Sequence, residues 1–179
     1  IVMEPIKGGL LAKLPKEISM MFSQNGNRKS DSSYALRYIA SFDHVKVILS
    51  GMSTLEQVED NLDTFNNYTE LSKEEHITIE KVVNSLKSRL KNGCTGCRYC
   101  MPCPYGVDIP NNFAIWNQFG MYDNKEIFEN RMIQNIKNGK FIDKCVKCGK
   151  CEKRCPQHLS IRKDFERLFV DYNDIKSNS

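Results

Sequence analysis

The chain has 179 residues, 40% hydrophobic and 27% charged, the composition of one or two small globular domains rather than of a disordered or fibrous chain. Its 26 basic residues exceed its 22 acidic ones by a formal +4, too mild an excess for a nucleic-acid binder. The longest apolar stretch, around Val45 to Leu49, falls far short of the roughly 20 residues of a membrane span, and nothing resembles a signal peptide, so the expectation is a cytoplasmic chain with no nucleic-acid and no membrane partner.

The opening, IVMEPIKGG, reads as a strand entering a Gly turn, and the start on Ile1 is read as a start inside a larger protein. A second apolar run, Val45 to Leu49, follows a segment with helical spacing at Tyr34, Ala35, Tyr38, Ile39 and Phe42, and two parallel strands with a helical crossover fit this pattern. Ser53 with Glu56 reads as a capping box for a helix whose Leu55, Val58 and Leu62 face a core. A second box, Ser72 with Glu75, opens a helix carrying Ile79, Val82, Val83, Leu86 and Leu90, with Gly93 placed to end it.

From Cys94 the composition changes, because all eight cysteines lie between Cys94 and Cys155. The runs CTGCRYCMPCP and CVKCGKCEKRCP form a degenerate internal repeat. Between them Asp123 with Glu126 suggests a helix cap and Gly139 a stop, and a terminal helix carries Ile161, Phe165, Leu168, Phe169 and Tyr172. No segment alternates long enough for a strand, so this half is expected to be mostly helical.

Cys94, Cys97, Cys100 and Cys103 are spaced C-x2-C-x2-C-x2-C-P, and Cys145, Cys148, Cys151 and Cys155 C-x2-C-x2-C-x3-C-P. Three cysteines at this spacing let one loop reach three irons of a cube, and in two-cluster proteins the cysteine before proline ligates the other cluster. The expected ligation is therefore Cys94, Cys97, Cys100 and Cys155 on one [4Fe–4S] cluster, with Cys145, Cys148, Cys151 and Cys103 on the second. Disulfides require an oxidising compartment, and zinc usually takes two separated C-x2-C pairs, so both are weaker readings. Each oxidised cluster adds about −2, which would bring the formal +4 close to neutrality. Lys144, Lys147, Lys150, Lys153 and Arg154 crowd the second run and Arg98 lies in the first, either as a solvated basic loop or as a surface that raises the cluster potential and docks an acidic electron carrier. His44, His76 and His158 show no ligand spacing. The 41 residues between Cys103 and Cys145 are too many for a compact two-hairpin ferredoxin, and the second half resembles the alpha-helical ferredoxin type.

The order and spacing of VMEPIKGGLL, SSYALRYIAS, VKVILSGMSTLEQVEDNL and LSKEE resemble the closing quarter of an aldo/keto reductase, and with the cysteine runs they resemble the branch carrying a C-terminal two-[4Fe–4S] ferredoxin-like extension. The resemblance implies an α/β first half, the last two strands and helices of a partial (β/α)8 barrel over 1–92, followed by a mostly α dicluster domain over 93–179. It implies an NAD(P) rim in the complete protein at Glu4, Pro5, Gly8 and Gly9, and at Gly51, Met52, Ser53, Gln57 and Asn61. Gln57 stands where the family has an Arg, and the family's catalytic residues lie on earlier strands, absent here. The implied whole is an iron–sulfur oxidoreductase whose missing N-terminal barrel part completes it and whose carrier is a ferredoxin or flavodoxin. The alternative is an autonomous electron-transfer protein or subunit with no nicotinamide site.

Overall fold

The computed structural model describes residues 1–23 and 29–177. Its contacts divide the chain into two compact units, Ile1–Lys87 and Ser88–Ser179. Among the described residues every regular element is helical, and no helix is long and apolar enough to cross a membrane.

The first unit contains α1 (Lys16–Ser23), α2 (Asp31–Ala40), α3 (Leu55–Asn66) and most of α4 (Lys73–Ser88). Its core is Ile18, Phe22, Tyr34, Leu36, Leu71, Val82 and Leu86, with the Phe22 and Tyr34 rings stacked 4.0 Å apart. Ser72 and Glu75 form the expected capping box, the Glu75 amide donating to Ser72 Oγ and the Ser72 amide to Glu75 Oε2. The same carboxylate receives both terminal nitrogens of the buried Arg37 at 2.7 and 2.8 Å. Arg37 also donates to the carbonyls of Thr69 and Glu70, so one side chain of α2 fixes the connection from α3 to α4.

The expected partial (β/α)8 barrel is absent, since no strand forms among the described residues. Val2 and Ile48 meet only in an isolated parallel bridge, in which the Val2 amide donates to Val47 O and the Leu49 amide to Val2 O. Extension stops at Glu4, whose φ of 50° turns the chain before Pro5, leaving too short a segment for a ladder. Ile1 and Met3 are 83% and 74% exposed, so the segment has no buried face to fix it in a sheet.

The stripe expected to bury α3 is also turned around. Leu55 is 71% and Leu62 53% exposed, whereas Thr64 is buried and Asp60 accepts hydrogen bonds from the Ser30 and Ser32 hydroxyls at the start of α2. The helix is N-capped by Thr54 rather than Ser53. In the same way Asn124, not Asp123, caps the helix after it, and α4 ends at Ser88, ahead of Gly93.

The second unit runs α5 (Ile109–Tyr122), α6 (Lys125–Lys137), a 3-10 turn (Ile142–Lys144), the short α7 (Lys150–Lys153) and α8 (Ile161–Ser177). Helices α5, α6 and α8 enclose a core around Phe113, Trp116, Phe128, Met132, Phe165 and Leu168. Gly139, at φ 64°, follows the end of α6. The repeat seen in the cysteine runs extends into the fold: Cys94–Ile109 leads into α5 as Cys145–Ile161 leads into α8. Ile109 and Ile161, each the first residue of its helix, are both buried, and one turn later Phe113 and Phe165 meet with ring centroids 5.1 Å apart. This pair brings the roots of both runs together.

Candidate metal centre

The two runs share a backbone plan in which side chain and glycine trade places. At the second position after the first cysteine, Gly96 has φ 72° and Lys147 φ 55°, and two residues further Arg98 has φ 65° and Gly149 φ 73°. These left-handed residues coil each loop tightly enough to turn backbone amides toward sulfur. The Lys147 amide donates to Cys145 Sγ at 3.4 Å, and the Gly96 amide to Cys94. After its last cysteine each run closes the same turn, the Gly106 amide donating to Cys103 O and the His158 amide to Cys155 O, both at 3.1 Å. The runs differ only before that cysteine: α7 occupies the longer second spacing, while the first crosses a cis Met101–Pro102 peptide.

Two hollows result. One is lined by Cys94, Cys97, Cys100 and Cys155 and floored by Ile109, Phe113 and Ile161. The other is lined by Cys103, Cys145, Cys148 and Cys151, with Val107, Ile109 and Phe165 beneath. Cys100 lines both and stands on the wall between them. Cys97 and Cys148 are exposed and the other six cysteines half-buried, all of them free thiols. Burial pushes the Cys94, Cys100 and Cys151 thiols up, Cys100 to about 11, so binding a metal here would require them to give up protons.

The donor set fits a cube better than a single ion. Four thiolates around one zinc, each about 2.3 Å from it, stand about 3.8 Å from one another. No three Cys, His, Asp or Glu side chains among the described residues gather that way. The sulfurs surround hollows instead, as ligands that each bind a different iron must.

Two asparagines that sequence reasoning passed over hold these loops. Asn117 of α5 accepts from the Lys91 and Asn92 amides at 2.9 and 3.0 Å and donates to Asn92, whose Oδ1 accepts from the Cys94 amide. Asn112, fully buried, donates to the carbonyls of Asp108 and Lys140 and accepts from Asn135, tying the exit of the first run to the approach of the second. Three asparagines inside a mostly apolar helix, where they are poor helix formers, are a signal readable in the sequence.

The residues expected at a nicotinamide rim lie mostly on the surface of the first unit. Glu4, Gly8, Gly51, Met52, Ser53 and Gln57 are exposed and Gly9 is half-buried. Gln57 Oε1 accepts from the Ser53 amide, and Asn61 Nδ2 donates to Ser50 Oγ, so both polar side chains serve their own loop. The cleft of the first unit, walled by Phe22, Tyr34, Tyr38, Val82 and Leu86, takes in Pro5 and none of the other eight. NAD(P) finds no support in this arrangement.

Residues 93–160 match the family model of the 4Fe-4S dicluster domain. No curated protein and no solved structure matches the chain. The match supports an iron–sulfur domain over residues 93–160.

Proposed function

We propose that the second unit holds two [4Fe–4S] clusters in crossed ligation and that its function is one-electron transfer. Cys94, Cys97, Cys100 and Cys155 would hold one, and Cys145, Cys148, Cys151 and Cys103 the other. The observation that carries this reading is the lining of the hollows: three thiols of the first run with Cys155 in one, and three thiols of the second run with Cys103 in the other, where Cys100 of the shared wall also lines the space. Bound there, each cluster supplies a one-electron redox centre. The chain's own part is to donate amide hydrogen bonds to thiolates, to keep water from the inner faces with Ile109, Phe113, Ile161 and Phe165, and to separate the two centres by the Cys100 wall. A second reading, coupling to an aldo/keto reductase-like nicotinamide chemistry, rests on the sequence resemblance of residues 1–92 alone, and titration with NADH and NADPH tests it.

Protein purified without oxygen should contain about eight irons and eight sulfides per chain. Stoichiometric zinc without iron sinks the proposal. Cys155→Ser should damage the centre held by Cys94, Cys97 and Cys100, and Cys103→Ser the other, as read by electron paramagnetic resonance of the reduced protein. Damage confined in each case to the centre of the substituted residue's own run would show that ligation does not cross.

A further inference from the structure

The two runs build the same cradle but carry different charge. Lys144, Lys147, Lys150 and Lys153 stand where the first run has Gly93, Gly96, Tyr99 and Pro102, and Arg154 fills the extra position of the longer spacing. All five are exposed. The first run has one cation, Arg98, lying 3.6 Å from Asp108. Neutralising a bound cluster therefore does not explain the lysines, because the matching cradle is made with one paired arginine for ligands of the same charge. Nor do internal ion pairs. Lys147 reaches Glu166 at 2.7 Å, and Glu152, the single acid among residues 144–154, is taken by Arg162. Lys150, Lys153 and Arg154 have no acidic partner among the described residues.

Two of these cations flank an opening. Lys150 and Arg154 line the second hollow beside the exposed Cys148, and its rim also carries Tyr105 and Val146, 45% and 55% exposed. Apolar contact area beside an exposed thiol, on a face rich in unpaired cations, is the arrangement by which a protein steers an oppositely charged partner to one docking pose. The geometry points to this face as the docking surface for an acidic one-electron carrier protein, which approaches at Cys148 and not at the pseudo-symmetric Cys97. The inference rests on the electron-transfer reading above and deepens it by naming the port and the partner's chemistry.

The test uses the full chain, purified without oxygen, and an acidic flavodoxin as the probe, with binding measured by calorimetry across a salt series. Wild type should bind with an affinity that falls as salt rises. The triple variant Lys150→Gln, Lys153→Gln, Arg154→Gln should bind about tenfold more weakly or worse and lose most of the salt dependence, consistent with removal of steering charges. Lys125→Gln with Lys137→Gln, at the two ends of α6, should leave binding unchanged. Iron content is read on every sample. An iron-free wild type refutes the electron-transfer reading itself, whereas iron-replete wild type without salt-sensitive binding, or equal loss in both variants, overturns the docking surface alone. If the triple variant loses iron, Lys153→Gln by itself, whose side chain does not line the hollow, must still weaken binding severalfold.

Discussion

At the scale of single residues, the cysteine spacing conveyed the candidate ligands but not what holds them. Thiols three apart are legible because the pattern encodes a loop directly, whereas Asn117 acts on backbone amides 25 and 26 residues away. Asn117→Leu keeps the branching at Cγ and leaves the Lys91 and Asn92 amides without their acceptor, at a cost of about 1–3 kcal/mol per stranded group. The variant should lose the centre beside Cys94 first on heating, followed by its optical absorption, and loss of the centre beside Cys148 first would refute the strap. The left-handed residues lead to an opposite expectation. His158, at φ 51°, occupies the position that Gly106 fills at φ 85° in the other run. A side chain there costs roughly 1–2 kcal/mol, and glycine's larger unfolded-state entropy offsets part of the gain on removing it. His158→Gly should therefore fold and load iron at least as well as wild type, while the β-branched His158→Val should be less stable in denaturant titration. A glycine variant weaker than the valine one would show that His158 is held for its side chain.

At the scale of elements, helices were legible from periodicity and caps, and errors came where a short apolar run had no partner. Val45–Leu49 has β-branched residues, but Val47 and Leu49 are 44% and 47% exposed, and hydropathy alone does not say whether a face finds cover. For α3 the polar side won, because Asp60 gains two serine hydroxyls at the start of α2. The caps slipped by one residue where two candidate side chains adjoin, Ser53 beside Thr54 and Asp123 beside Asn124. What joins α2 to α4 is the Arg37–Glu75 pair, with Arg37 3% and Glu75 7% exposed. Burial alone would push the Glu75 carboxyl up, but the Arg37 hydrogen bonds, the Ser72 amide and the charge of Arg37 outweigh it and hold the carboxyl below its usual value. Its contribution is therefore complete above the ordinary glutamate range and is lost as pH falls through the depressed folded value. Glu75→Gln should cost about 3–5 kcal/mol by leaving a buried guanidinium without its counter-ion. The stability of the first unit should decline in acid for wild type and lose much of that slope in the variant, as followed by hydrogen exchange of α2 and α4 against pH; an unchanged slope would place the acid sensitivity elsewhere.

At the scale of the whole molecule, the chain joins two kinds of stability. The first unit rests on a small apolar core and a buried ion pair, with many apolar side chains left on its surface. In the second, six of the eight cysteines pack against the core that α5, α6 and α8 enclose, so candidate ligands and hydrophobic interior form one structure. Metal binding there contributes folding free energy, because the hollows and the thiolates with their displaced protons have no counterpart in the unfolded chain. Under the proposed ligation, removing iron would leave Cys94, Cys100 and Cys151 as half-buried thiols and withdraw the links between runs 41 residues apart, but it would touch no group in the core of Ile18, Tyr34, Leu36 and Val82. Treatment with an oxidant and a chelator should therefore abolish hydrogen-exchange protection over residues 94–108 and 145–160 and weaken it in α5 and α8, while α2 and the first turns of α4 keep theirs. Loss of protection in both units together would mean that the chain folds as one cooperative body whose first half depends on the metal, and retention in both would mean that the helices of the second unit stand without it.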